Sequence, residues 1–159
     1  MTMNEYRVTK YDPALRDSTG AYTKQEWTMF TDVGRSFRGV VLTESEYKRV
    51  EDAYVRAALA FLTEGGLSEL TIQGLENRQK KLEFSEGSIL SLNHVGDVIR
   101  RLLREEFWCR LEGNGGFVHI GWDYYMYVGV SHPCPSAQKL ASEVGLYVEE
   151  FKSPYNESD

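Results

Sequence analysis

The sequence has little of what would mark a membrane-spanning, secreted or disulfide-stabilised protein. Only two of its 159 residues are cysteine, only four are proline, and no run of 18 apolar residues occurs. Neither a membrane span nor a disulfide framework is therefore expected. The first ten residues, MTMNEYRVTK, also lack the apolar segment of a signal peptide. These absences predict a cytoplasmic protein that does not bind a membrane.

The two cysteines are predicted to be free thiols. Cys109 falls on the apolar alternation of a predicted strand, which favours a buried, reduced thiol. Cys134 lies between Pro133 and Pro135 in a predicted turn. A reactive thiol is the alternative there, but no basic neighbour or motif supports it.

Catalytic and cofactor-binding motifs are also missing. The three histidines, His94, His119 and His132, have no metal-ligand spacing with each other or with cysteine. No G-x-S-x-G, P-loop or dinucleotide-binding motif occurs. We therefore expect no metal, no cofactor and no catalytic residue, and predict that the protein is not an enzyme.

The charge of the chain bears on its partners. The formal net charge is −6, and an acidic surface repels nucleic acid and anionic membranes, so neither is an expected partner. The same charge attracts a basic protein by steering, although general solubility explains it equally well. Aromatic residues make up 13% of the chain, ten of them tyrosine, and such residues are enriched at protein interfaces.

Hydrophobic periodicity predicts an α+β fold. The clearest helix covers residues 44–64, where apolar residues recur at spacings of three and four after a capping box formed by Thr43 and Glu46. A second helix is predicted over about residues 92–105, and a short one over residues 136–144. Alternating segments predict strands at residues 5–11, 39–42, 67–75, 81–90, 107–112, 117–130 and 146–151.

These elements predict a mainly antiparallel sheet with a long C-terminal hairpin, packed against two main helices and one short helix. A chain of 159 residues suits one domain, so we expect a single globular domain over residues 1–159. The polar tail is expected to fray from about residue 153 to residue 159.

The C-terminal hairpin is the best-defined local structure. The Gly-Asn-Gly-Gly sequence at residues 113–116 tolerates positive φ at low cost, as a tight turn requires. This loop places Glu112 opposite Phe117, and Arg110 opposite His119. Under the same register both strands put their apolar residues on one face, and a slip of one residue would destroy that agreement.

The second strand of the hairpin is predicted to run unbroken from Phe117 to Val130. The register then pairs Phe107 with Trp122, so Trp122 is expected in the core. His119 and Asp123 would share one strand face at a separation of about 13 Å. That distance argues against a direct catalytic pair.

The other face of the hairpin is the candidate site. It mixes aromatic, imidazole and charged side chains: Trp108, Arg110, Phe117, His119, Asp123, Tyr125 and Tyr127. Because Trp, Tyr and Arg dominate binding hot spots, we predict that this face contacts a protein partner. The alternative is that a second layer of the same chain covers it, although that layer would have to supply partners for the charged groups.

Four sequence runs that together span nearly the whole chain carry a resemblance to known proteins. They are EYRVTKY at residues 5–11, LTESEY at 42–47 with EDAY at 51–54, WDYYMY at 122–127 and VEEFKSPY at 148–155. With these runs the chain resembles small, stand-alone bacterial proteins, among them the immunity partners of polymorphic or contact-dependent growth-inhibition toxins. The resemblance implies a cytoplasmic protein that neutralises one cognate toxin domain. No functional residue is carried over from it.

The leading hypothesis is therefore a non-enzymatic binding protein that occludes the active site of a basic toxin domain. One alternative is a hydrolase-like enzyme whose site is assembled around His119, Asp123 and Tyr125, which would require a deep pocket there. Another is a self-associating structural protein, with the hairpin face as the seam of a homodimer.

Overall fold

The structure, a computed structural model, describes residues 3–76 and 82–156. Within these residues the chain forms three α-helices and nine β-strands. The helices are α1 (Glu44–Glu64), α2 (Leu92–Leu103) and α3 (Pro135–Glu143). The strands are β1 (Asn4–Thr9), β2 (Ser36–Phe37), β3 (Val40–Val41), β4 (Glu69–Glu76), β5 (Ile89–Ser91), β6 (Trp108–Gly113), β7 (Gly116–Ile120), β8 (Met126–Val130) and β9 (Tyr147–Glu150).

Seven of the strands form one antiparallel sheet in the order β5-β4-β6-β7-β8-β1-β9, and β2 and β3 form a separate ribbon. The predicted α+β fold with a mainly antiparallel sheet is confirmed. Helix α1 contacts both other helices and the strands β7 and β8. No helix in the described ranges is both long enough and apolar enough to cross a membrane.

Helix α1 forms where the sequence predicts it. The Thr43 hydroxyl accepts a hydrogen bond from the Glu46 backbone N–H at 3.1 Å and so caps the first turn. Tyr47, Tyr54 and Phe61 recur on one side of the helix and are fully buried. This apolar stripe packs against the sheet; the Phe61 ring, for example, contacts Tyr6 of β1.

The predicted register of the C-terminal hairpin is confirmed. Glu112 lies opposite Phe117, and Arg110 lies opposite His119. The unbroken strand over residues 117–130 is wrong, however. Strand β7 ends at Ile120, the chain turns through residues 121–125, and β8 returns to pair with β7 in antiparallel fashion.

The turn at residues 121–125 explains this difference. Asp123 and Tyr124 adopt φ values of 58° and 66°, which reverse the chain direction. The Gly121 N–H closes the turn by donating to the Tyr125 carbonyl at 2.7 Å. As a result Trp122, which was predicted in the core, is 69% exposed. The pairings predicted for Trp122 and Asp123 with the preceding strand are consequently wrong.

One further prediction is corrected at the edge of the fold. The strand predicted over residues 81–90 is reduced to β5, while residue 81 lies outside the described residues. In the predicted tail, Ser153 is buried and Tyr155 contacts three aromatic rings, and the predicted fraying stays a prediction. Residues 157–159 lie outside the described residues. The single-domain organisation stays a prediction.

Candidate functional site

The structure divides the seven predicted site residues among three environments. The buried residues are Phe117, His119 and Tyr127; the half-buried ones are Trp108, Arg110 and Tyr125; Asp123 is exposed. The predicted face is therefore not a single open surface. Its centre is closed by the chain itself, and only its margins reach solvent.

The buried centre is covered by the tail at residues 151–155, which we call the tail segment. The Tyr127 ring lies 5.9 Å from the ring centroids of both Phe151 and Tyr155. Phe117 and His119 stack beneath this layer with ring centroids 4.2 Å apart. We call the three residues Phe117, His119 and Tyr127 the covered face. In this part of the hairpin, a second layer of the same chain covers the face, as the alternative prediction stated.

His119 connects the covered face to the tail segment by polar contacts. Its Nδ1 lies 2.6 Å from the Ser153 hydroxyl, which itself accepts a hydrogen bond from the Tyr155 N–H. The hydroxyl hydrogen is therefore available to donate to Nδ1. Nε2 lies 3.3 Å from a carboxylate oxygen of Glu112 but forms no hydrogen bond within the described residues.

This series of groups has the composition of a serine nucleophile with its base and orienting acid. A serine hydroxyl contacts an imidazole, and the imidazole faces a carboxylate. His119 has no exposed surface, however, and Ser153 is only 6% exposed. A substrate would reach the hydroxyl only if the tail segment moved away. The contacts are accordingly best understood as a polar attachment of the tail segment to the sheet.

Tyr125 and Arg110 also have partners within the chain. The Tyr125 hydroxyl accepts a hydrogen bond from Arg16 at 3.0 Å, and its ring stacks on Tyr11 at 5.2 Å. The Arg110 guanidinium lies 3.8 Å from the Glu112 carboxylate. His119 is fully buried, Asp123 is exposed, and none of His119, Asp123 and Tyr125 lines the aromatic cavity beside Trp108; the hydrolase-like site predicted around them stays a prediction.

Trp108 opens onto a cavity of about 380 Å³, which we call the aromatic pocket. Four aromatic side chains, two aliphatic ones, a glycine and two carboxylates line it: Phe107, Trp108, Trp122, Tyr155, Leu102, Ile120, Gly121, Glu76 and Glu105. Its volume lies within the range of ligand-binding cavities. Trp108 lines this pocket, whereas the other six predicted site residues are not among its lining residues.

The turn that carries Trp122 is rigidly held despite its unfavourable backbone. The Tyr11 hydroxyl donates to the Asp123 carbonyl at 2.6 Å, and the Tyr54 hydroxyl donates to the Tyr124 carbonyl at 2.8 Å. Burial raises the pKa of both Tyr11 and Tyr54, so both remain protonated donors. Backbone strain of this kind persists where the surroundings fix it, and it is concentrated at functional sites.

The opposite rim of the pocket has a similar feature. Glu105, which lines the cavity, follows the end of α2 with a φ of 60° and is thus also a non-glycine residue in the left-handed region. Its N–H donates to the Leu102 carbonyl at 3.0 Å and fixes this conformation. Both walls of the opening are therefore held in place before any ligand arrives.

The charges around the pocket are negative. Glu76 and Glu105 are exposed on its rim, and neither forms an ion pair with another residue in ranges 3–76 and 82–156. The nearby Arg101 is engaged by Glu83 at 2.9 Å and by Glu106 at 3.2 Å. The pocket thus combines apolar walls with carboxylates that lack a cationic partner among the described residues.

No group of three or more His, Cys, Asp or Glu residues in the described parts of the chain is arranged to hold a metal ion. The chain was compared with protein-family models, with curated proteins and with solved structures, and none of them matches it. The geometry of the pocket and the charge of the chain are consequently the grounds for a functional proposal.

The sequence reasoning missed most of this pocket. Trp122 was placed in the core and Tyr155 in a frayed tail, whereas both line the cavity. One signal was available at Gly121, since an isolated glycine inside a strand pattern often marks a bulge or a close backbone approach. A Cβ at Gly121 would come within 2.8 Å of the Tyr155 hydroxyl, so this glycine makes room for the tail segment.

Proposed function

We propose that the protein is a non-enzymatic binding protein that recognises a basic protein partner through the aromatic pocket and the Trp122 turn. The observation that carries this proposal is a large, exposed indole on a rigid turn beside a preformed apolar cavity. Tryptophan is strongly enriched at binding hot spots, and a preorganised site reduces the entropy lost on binding.

The charge of the site indicates the kind of partner. Glu76, Glu105 and Asp123 are exposed around the pocket, and the whole chain carries a net charge of −6. A basic partner would be drawn to such a surface and oriented by it before contact. The more specific form of the proposal is that the partner is a bacterial toxin domain, met in the cytoplasm and neutralised by occlusion of its active site.

The proposal changes the predicted contact residues in two respects. Trp108 and Asp123 stay within the proposed contact region, and Trp122 joins them. Phe117, His119 and Tyr127 can contact a partner only after the tail segment has moved, because they are buried beneath it.

The test is binding of the purified protein to the product of the adjacent gene, measured by calorimetry. We expect tight binding that Trp122→Ala weakens at least 30-fold, by analogy with hot-spot tryptophans. Val40→Ala is the matched control, because Val40 is 70% exposed on the β2–β3 ribbon and lies outside the aromatic pocket. If only the Val40 variant lost binding, the contact region would be the β2–β3 ribbon and not the aromatic pocket.

Two results would overturn the proposed function itself. The first is the absence of any toxin-like neighbour together with no bound protein partner. The second is turnover of a substrate that Ser153→Ala abolishes, which would favour the enzyme alternative. Self-association is tested separately by sedimentation at low concentration, since a monomer excludes a homodimer seam.

A further inference from the structure

The walls of the aromatic pocket have an electrostatic as well as an apolar character. Phe107, Trp108, Trp122 and Tyr155 surround the cavity. The face of an aromatic ring carries negative charge density, and a cation placed over it is attracted, most strongly by Trp. Several rings around one cavity therefore form a setting in which an organic cation is stabilised without a direct ion pair.

Two of these rings are held by contacts within the protein. The Trp108 indole N–H donates to the Ile120 carbonyl at 2.9 Å. The Tyr155 ring lies 5.5 Å from the Trp108 ring and packs closely over Gly121. The Trp122 ring is 69% exposed and is accessible to an entering group.

Formal charges at the rim complement the rings. Glu76 at the end of β4 and Glu105 after α2 both line the cavity. Of the nearby arginines, Arg101 pairs with Glu83 and Glu106 and also lies over the Phe107 ring, 5.2 Å from its centroid, while Arg104 pairs with Glu51. The two carboxylates, which have no ion pair within residues 3–76 and 82–156, lie beside the rings of Trp108, Trp122 and Tyr155 and would favour a positively charged ligand.

We infer that the aromatic pocket binds a cationic side chain of the partner, an arginine or lysine whose charged end lies among the rings and near Glu76 and Glu105. This inference rests on the proposed function, because it names the group by which a basic partner is held. An aliphatic stem would contact Leu102 and Ile120, and the guanidinium or ammonium group would be met by the aromatic faces. A neutral apolar side chain would leave both carboxylates uncompensated.

The inference is tested with small probes, independently of any protein partner. N-acetyl-arginine methylamide is titrated into the ¹⁵N-labelled protein, and the indole N–H signals of Trp108 and Trp122 are followed. N-acetyl-citrulline methylamide is the matched neutral probe, because it keeps the shape and replaces the guanidinium by a urea group. We expect both indole signals to shift with the arginine probe and its affinity to exceed that of the citrulline probe at least tenfold.

Protein variants sharpen the same titration. Glu105→Gln and Glu76→Gln should each weaken binding of the arginine probe at least threefold, because they remove charge and keep the side-chain shape. Glu143→Gln on α3 is the control, an exposed glutamate remote from the lining residues, and should leave the affinity unchanged. Equal effects of all three variants would indicate general attraction to an acidic protein and would overturn the inference.

A second ligand arm separates a side chain of a partner from a free small molecule. Choline is compared with its neutral isostere, 3,3-dimethylbutanol. Choline binding more than tenfold tighter than the arginine probe would overturn the assignment to a partner side chain and indicate a quaternary ammonium ligand. Equal affinities of charged and neutral probes would overturn the cation preference and leave the proposed protein-binding function standing. If the arginine probe binds as expected but no protein partner is found, the cation preference would stand and the proposed protein-binding function would be overturned.

Discussion

The covered face and the aromatic pocket are built from the same kinds of side chain, yet the protein treats them in opposite ways. Phe117, His119 and Tyr127 are closed over by the tail segment, whereas Trp122 stands exposed beside an open cavity. The covered face has found its polar partner within the chain, in Ser153. The two rim carboxylates of the pocket have no such partner among the described residues.

Under the proposed function, the difference separates aromatic area used for folding from aromatic area left for binding. On the covered face aromatic area is removed from water by the protein itself, which contributes to the stability of the fold. At the pocket similar area stays accessible, so its burial remains available to a ligand. The two regions meet at the turn of residues 121–125, and variants in the covered face, in the tail segment and in this turn separate their contributions.

The largest effect is expected within the covered face. Phe117→Ala should reduce the free energy of unfolding by about 3–5 kcal/mol, as is typical for truncating a buried aromatic residue. The Phe117 ring lies directly on the backbone of Gly129, and its removal would leave a cavity beneath the tail segment. The measurement is equilibrium unfolding in guanidinium. A loss below about 1 kcal/mol would mean that this face is open in solution.

An intermediate effect is expected for Tyr155, which contacts both regions. Tyr155→Ala should reduce the free energy of unfolding by about 2 kcal/mol, because the ring contacts Trp108, His119 and Tyr127. It should also weaken binding of the arginine probe. Tyr155→Phe keeps the ring and is expected to retain most of both properties. A stable variant with unchanged probe affinity would contradict the description of the tail segment as a wall of the pocket.

A smaller effect is expected at Gly121. Gly121→Ala should cost about 1 kcal/mol, because the new methyl group would approach the Tyr155 hydroxyl. The backbone itself accepts alanine there, since its φ is −93°. In the double variant with Tyr155→Phe the cost should shrink by about 0.5 kcal/mol or more, a coupling that chemical denaturation of the four proteins measures. Strict additivity would exclude this contact.

The smallest effect on stability is expected for Trp122→Ala. Because Trp122 is largely exposed, its truncation should change the free energy of unfolding by no more than about 0.5 kcal/mol. The same variant should lose most of its affinity for the partner. Both variants are unfolded in guanidinium, which compares an aromatic residue truncated in the covered face with one truncated in the turn. A destabilisation equal to that of Phe117→Ala would show that Trp122 belongs to the core.

The sequence predicted the parts of the fold that depend on repeated local signals. Helix α1 was predicted from its apolar spacing and its Thr43 cap, and the β6–β7 register from one glycine-rich loop and matched alternation. These signals are local, and each is repeated by several residues. They determined the fold class and placed Phe117 and His119 on one face.

The candidate site was harder to predict because it depends on single residues and on distant contacts. The turn at residues 121–125 requires left-handed backbone at Asp123 and Tyr124, which two tyrosine hydroxyls from other elements support. Nothing local to the sequence reveals those hydroxyls. His119 and Tyr127 lie opposite each other in the β7–β8 pairing and therefore share one face of the sheet. The prediction of an unbroken strand also placed them on one face, because an even number of residues separates them.

Tyr155 belongs to both regions, and this gives the pocket a wall that is attached only through the tail segment. The apparent affinity for a ligand is therefore the intrinsic affinity multiplied by the fraction of molecules in which the tail segment is docked. By thermodynamic reciprocity, a bound ligand must hold the tail segment down and slow amide hydrogen exchange at Ser153 and Tyr155. Exchange at two backbone amides would thus report occupancy of a cavity that neither amide touches.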